Sequence, residues 1–326
     1  MVAADDRTGA FEVAALIADV VGPTLVTVGT PAAGSCVVDI ATRALRADEA
    51  AARAAATEAT PSRWTAHKID STQRGQWAAE LRSRHQVGGR RVVVLPAWPE
   101  HGRTCIGGVV HVHGTPLGNV LELLPGTRLV ADAAALREWL AGDGLLAVCD
   151  IGDDAAMYAA AAVLADADAD VMVAGPAGPL GAVFAARSGD RFRTTTPAID
   201  GPCLVVCGSA NPVSREQVRR LLTARPQVVV VAAPEPEGVL DLAVAAALVE
   251  EAHEVAATLL PSTIVLLGGD TAAAFLGDAP RMVGGSVAAG MPFSFDEHGG
   301  GPLVVTKAGG FGGPDALVDL LGGETG

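Results

Sequence analysis

Short apolar runs rich in valine, leucine and alanine recur along this chain, and segments of helical period separate them. "TLVTV" (24–28), "SCVVDI" (35–40), "RRVVVLP" (90–96), "LLAVCDI" (145–151) and "DVMVAG" (170–175) read as strands. Helix-period stretches lie near 9–21, 46–58, 75–86, 131–141 and 155–167. Strands apolar at consecutive positions are covered on both faces, which is the signature of parallel sheets joined by helical crossovers. The polar half of "VFAARSGDRFRTTTPAIDGP" (183–202) reads as a linker with a boundary near 198. A second βα series follows: "CLVVCGS" (203–209), a helix from Ser214, "QVVVVAAP" (227–234), a helix over 238–259, and "TIVLLGG" (263–269). The expectation is an α/β chain of two domains, 1–198 and 199–326. Each has a mainly parallel sheet flanked by helices, and the active site is expected in the cleft between the domains.

The charge pattern narrows the partners. Formal net charge is −14, which disfavours nucleic acid and anionic membrane. No apolar run approaches a membrane span and no basic leader opens the chain, so the expected location is cytoplasmic. Self-association into a homodimer is the base-rate expectation. The five cysteines have no metal spacing and sit in apolar runs, where a thiol acts as a small hydrophobe. Of 23 basic residues only Lys68 and Lys307 are lysines. Where arginine serves nearly everywhere, a retained lysine marks a place that wants a compact ammonium.

Common catalytic signatures are missing. Neither lysine follows a glycine, so no P-loop is present; "GPAGPLG" (175–181) lacks dinucleotide-binding spacing, and no GxSxG, HExxH or CxxC occurs. His111 and His113 would share one strand face, but without a third ligand they read as structural.

Four polar stretches stand at strand ends. "AADDRTGA" (3–10) sets Asp5 and Asp6 at a strand-to-helix turn. "HKIDSTQRG" (67–75) gathers Lys68, Asp70, Ser71 and Arg74, which suits a hydroxylated carboxylic acid: cations and amides take the carboxylate, the aspartate takes hydroxyls. "LLGGDTAAAF" (266–275) runs a strand into Gly268 and Gly269, then Asp270 and Thr271 at a helix start, where amides face phosphate and Asp270 can position Mg²⁺. "TKAGGFGG" (306–313) carries Lys307, Gly309 and Gly310, a glycine-rich nucleotide cradle.

These stretches, with "LPAWPEHGRTCIGG" (95–108), "VVCGSANPVSREQV" (205–218) and "VGGSVAAGMPF" (283–293), follow in the order of one family that the chain resembles, the four-carbon acid sugar kinases. The resemblance implies an ATP- and Mg²⁺-dependent kinase acting on a small anionic sugar acid such as threonate, erythronate or 3-oxo-tetronate. It implies an acid-sugar-binding domain over 1–198 and a nucleotide-binding domain over 199–326. Asp5, Lys68, Ser71 and Arg74 would bind the acid, Asp6 and Asp70 would be catalytic, and one of Asp5, Asp6 or Asp70 would accept the hydroxyl proton. Ser209, Gly268, Gly269, Asp270, Thr271, Lys307, Gly309 and Gly310 would face ATP, and Asp270 the metal. Rival readings are a kinase for another small hydroxy acid and a non-catalytic nucleotide or metabolite sensor. Arg7, Gln73, Asn211, His113 and the weakened "DIATRAL" (39–45) depart from the family pattern, and Arg7 beside the acid pair is the expected determinant of substrate choice.

Overall fold

A computed structural model describes residues 1–31, 37–189, 195–234, 242–308 and 310–322. The chain divides into two compact units, Met1–Phe192 and Arg193–Gly326. Among the described residues no helix is long and apolar enough to cross a membrane.

In the first unit the strands are β1 (Val2–Ala4), β2 (Thr24–Val28), β3 (Val37–Asp39), β4 (Thr65–Lys68), β5 (Arg91–Val94), β6 (Arg103–Ile106), β7 (Val109–Val112), β8 (Thr115–Asn119), β9 (Arg128–Val130), β10 (Leu146–Cys149) and β11 (Val171–Gly175). The helices are α1 (Arg7–Val21), α2 (Ala47–Ala56), α3 (Trp77–Gly88), α4 (Val120–Leu123), α5 (Ala133–Ala141), α6 (Asp154–Ala165) and α7 (Ala177–Ser188). Eight strands form a parallel sheet in the order β2-β3-β1-β4-β11-β5-β10-β9. The chain leaves β1 toward β2 and β3 on one side and returns to β4 on the other. The strand order therefore reverses at β1 and β4, where α/β sheets open a crevice at their carboxyl ends.

Both faces of this sheet are covered. His67 and Lys68 follow one another in β4 and so point to opposite faces. His67 meets Glu80 of α3, whereas Lys68 lies against Gly9 of α1. Val37, Val38, Val92, Val93 and Val94 are all buried, as the unbroken apolar runs require. A separate antiparallel sheet, β6-β7-β8, holds His111. His113 does not share its strand: it follows β7 with a φ of 48°.

The second unit contains β12 (Cys203–Cys207), β13 (Val229–Ala232), β14 (Thr263–Leu267), β15 (Arg281–Ala288), β16 (Met291–Asp296) and β17 (Leu303–Lys307), with α8 (Pro212–Ala224), α9 (Leu242–Leu259), α10 (Gly269–Leu276) and α11 (Ala316–Gly322). Its strand order is β13-β12-β14-β17-β16-β15. The first four are parallel, and "GGSVAAGMPF" folds as an antiparallel hairpin on that edge. Alternation along β12 splits the core: Leu204 and Val206 pack toward α9 and α10, Val205 and Cys207 toward α8 and α11. The α/β expectation of mainly parallel sheets flanked by helices is borne out.

Candidate functional site

In the first unit the polar residues converge at the β1/β4 reversal. Asp5 and Asp6 follow β1 directly. Asp6 is the N-cap of α1, accepting from the Gly9 amide at 2.9 Å and from the Thr8 hydroxyl at 2.8 Å. Such a cap stabilises a helix by about 1 kcal/mol and fixes where its carboxylate stands. Arg43, just beyond β3, then ties the acids together. Its Nε and NH2 each donate to Asp5 at 2.8 Å, and NH1 donates to Asp6 at 2.6 Å. The Thr42 and Arg43 amides close on the Asp5 carbonyl, locking the loop to the strand end.

From β4 comes Lys68, 4% exposed. Its ammonium makes no hydrogen bond among the described residues; the nearest carboxylate oxygen, Asp6 Oδ1, is 4.0 Å away. A Cβ on Gly9 would overlap the end of this side chain, so the lysine crosses α1 where the helix has no side chain. An ammonium removed from bulk water and left without a hydrogen-bond acceptor is the setting for an anionic ligand.

Asp70 and Arg74 form the outer part of the cluster. Arg74 Nε and NH2 donate to Asp70 at 3.0 and 2.8 Å, and Thr72 donates to the same carboxylate from its amide and hydroxyl. Despite the opposing penalty of burial, the Arg74 hydrogen bonds and the Arg43 charge hold Asp70 well below the usual carboxylate range. Arg74 remains two-thirds exposed, and its NH1 has no partner among the described residues. Ser71 stands half-buried in the same turn. Gln73 adopts a φ of 61°, and its Oε1 is buried with no hydrogen-bond partner among the described residues. Arg7 corrects an expectation: rather than standing beside the acid pair, it is buried with Nε on Asp39 at 2.9 Å, joining α1 to β3.

Two members of this cluster escape the sequence reading. Arg43 lies in the weakened "DIATRAL" stretch, and only the sheet order shows that β3 ends beside β1. Glu12 sits in the apolar run "FEVAALI" (11–17), three residues after Gly9 and hence on the same helical face. A lone charge in that run was the available signal.

In the second unit a parallel arrangement stands at the ends of β12, β14 and β17. Gly268 has a φ of 112°, which a side chain resists. It packs against Thr271 Oγ1 and Ser209, bringing both hydroxyl residues to one turn. α10 begins there with no side-chain cap, whereas α8 is capped by Asn211. The uncapped amides of α10 fit a phosphate group. Gly269 and an exposed Asp270 form the first turn of α10. Gly310 lies beside Asn211, and Gln217 donates from one amide to the carbonyls of Phe311, Gly312 and Gly313, which fixes the glycine-rich turn. Lys307 is fully buried with Nζ toward Ser214 Oγ and the Ala308 carbonyl, and burial pushes its ammonium down to about 8. Gly309 lies outside the described residues. No group of three His, Cys, Asp or Glu among the described residues could hold a metal. Asp270 alone fits Mg²⁺ only in the manner of an ion ligated mostly by phosphate and water.

Residues 1–121 match the family model described as a sugar-binding N-terminal domain, and the Lys68 cluster lies within them. The chain is 31% identical to a D-threonate kinase of Cupriavidus necator, over 67% of this chain and 62% of that protein's length. It is 28% identical to a D-threonate kinase of Bordetella bronchiseptica, over 77% of this chain and 75% of the relative. The fold matches a crystal structure of a Haemophilus influenzae protein with a TM-score of 0.75 at 21% identity, covering 98% of this chain and 99% of that one. Residues 1–121 thus belong to the family of sugar-binding N-terminal domains, and the chain as a whole is similar to proteins named D-threonate kinase, spanning less than two thirds of the first of them.

Proposed function

We propose that this chain transfers the terminal phosphoryl group of ATP to a hydroxyl of a four-carbon sugar acid of the threonate type. The observation that carries the reading is the Lys68 ammonium, buried at the sheet reversal with no hydrogen bond among the described residues. The names of the two kinase relatives support it.

In this reading Lys68 and the open NH1 of Arg74 take the acid's carboxylate. Asp6 and Asp70, braced by Arg43 together with the buried Asp5, set the orientation of its hydroxyls. Ser209, Thr271, Gly310 and the amides of α10 from Gly269 hold the nucleotide phosphates, and Asp270 holds Mg²⁺. When bound, Mg²⁺ would neutralise charge developing on the phosphoryl oxygens. The buried Lys307 braces the end of β17 beneath the glycine-rich turn. Most of the rate enhancement then comes from positioning and fixed charge, since phosphoryl transfer asks little covalent chemistry of the protein.

The test is phosphorus NMR of the protein with ATP, Mg²⁺ and, separately, D-threonate, L-threonate, D-erythronate, a 3-oxo-tetronate and D-glycerate. A new phosphomonoester resonance with at least one four-carbon acid is expected. ATP left intact with every acid overturns the reading, and turnover of D-glycerate alone moves the substrate class to smaller hydroxy acids.

A further inference from the structure

Resting on the kinase reading, we propose that Glu12 is the group that takes the proton from the acceptor hydroxyl. The sequence pointed instead to Asp5, Asp6 or Asp70, and the geometry weakens all three.

Each aspartate of the cluster already has both carboxylate oxygens engaged. Asp5 is gripped at Oδ1 and Oδ2 by Arg43. Asp6 accepts the Gly9 amide on Oδ1, and Thr8 and Arg43 on Oδ2. Asp70 accepts Arg74 on both oxygens and Thr72 twice. An oxygen that already accepts hydrogen bonds must give one up to take a substrate proton, and for Asp70 the Arg74 and Thr72 bonds also hold proton affinity down despite burial. Such groups orient a substrate well and make poor bases.

Glu12 differs in this respect. It is half-buried on α1, and no hydrogen bond or ion pair reaches its carboxyl among the described residues. Gly9 lies one turn earlier on the same face, directly under the end of Lys68. The charges that act on Glu12 are Lys68 and, more weakly, Asp6, Asp70 and Arg43, which are the members of the cluster itself. The other elements against α1 add little. β1 and β2 carry no ionisable side chain, Asp39 of β3 is held by Arg7, and Arg187 of α7 donates to the Leu164 and Ala167 carbonyls. Burial raises the proton affinity of Glu12, with Lys68 the largest opposing influence. A carboxylate with free lone pairs and a raised pKa is suited to general base catalysis near neutrality.

The step balances as follows. The hydroxyl O–H bond breaks and its proton passes to Glu12. The hydroxyl oxygen bonds to the terminal phosphorus of the nucleoside triphosphate. The bond from that phosphorus to the bridging oxygen breaks, and the nucleoside diphosphate leaves with the electron pair. Glu12 then returns its proton to solvent.

The test compares the wild type, Glu12→Gln and Glu12→Asp with the acid the wild type turns over, from about pH 5 to about pH 9. Binding of that acid without nucleotide is followed by calorimetry, and the Glu12 carboxyl is titrated by NMR in the ligand-free wild type. For E12Q, kcat is expected to fall about 10²–10⁴-fold while the acid's Kd stays within about threefold. E12D is expected to keep part of the rate, and the acidic limb of the wild-type kcat profile to follow the NMR titration, above the ordinary 4.5. The NMR titration stands whether or not the variants fold. Wild-type kcat in E12Q, or titration of Glu12 at or below 4.5, overturns this assignment while leaving the kinase reading in place. A wild type that turns over none of the acids overturns both.

Discussion

Arg43 grips the Asp5 carboxylate through two hydrogen bonds of 2.8 Å, in a place where Asp5 has no exposed surface. The pair joins the end of β3 to the end of β1, and a third bond from the same guanidinium reaches Asp6. One arginine thereby sets the positions of the two acids that flank the start of α1. The planar fork matters, since a lysine cannot serve Asp5 at both oxygens and Asp6 together.

Removing that fork leaves a buried carboxylate without its partner. Arg43→Met is expected to lower unfolding free energy by about 3 kcal/mol, and adding Asp5→Asn to recover part of the loss. Urea denaturation of the two single variants and the double variant measures the coupling. Strictly additive losses would contradict a direct pairing.

Gly9 separates site geometry from stability. An alanine there would overlap Lys68 Cε and Nζ, the end of a side chain that can swing aside, and would press on Asp6 Oδ1, weakening the helix cap by at most about 1 kcal/mol. Gly9→Ala is therefore expected to keep its melting temperature within about 4 °C, since alanine also favours the helix. Its KM for the acid is expected to rise about tenfold or more as the ammonium is displaced. An unchanged acid KM would show that Lys68 does not hold the substrate.

Lys307 gives a pH signature to the second unit. Its folded pKa, about 8, lies below the ordinary 10.5, so between these values the unfolded chain binds more protons than the folded one. Stability from this group therefore rises as pH climbs from about 8 to about 10.5, by up to about 3 kcal/mol. The thiols of half-buried Cys203 and buried Cys207 act oppositely above their ordinary 9, because burial on folding raises their pKa. The difference between the wild type and Lys307→Met across this range, read by urea denaturation, isolates the lysine. Equal slopes in both proteins would contradict its burial.

The sequence made the α/β alternation legible because runs such as "RRVVVLP" and "TIVLLGG" are apolar at consecutive positions, which only a doubly covered strand tolerates. The β15–β16 hairpin was less legible, since Gly284, Gly285 and Gly290 interrupt the period that marks a strand. At the site, strand-end residues such as Asp6 and Lys68 announced themselves by being polar where an apolar run stops. Arg43 and Glu12 did not. Their place depends on which strand lies beside β1 and on which face of α1 meets Lys68, both products of tertiary packing. Arg7 misled for the same reason: nearness to Asp6 in sequence says nothing of direction, and N1 of this helix points toward Asp39.

The most direct test of the account is acid-dependent ADP formation by the wild type and Lys68→Met, with the acid and ATP varied in turn. The wild type is expected to turn over a four-carbon sugar acid. In Lys68→Met, kcat/KM for the acid is expected to fall about 100-fold or more, with KM for ATP unchanged within about twofold. Equal kcat/KM for the acid in the two proteins, or no ADP from the wild type with any acid, would contradict it.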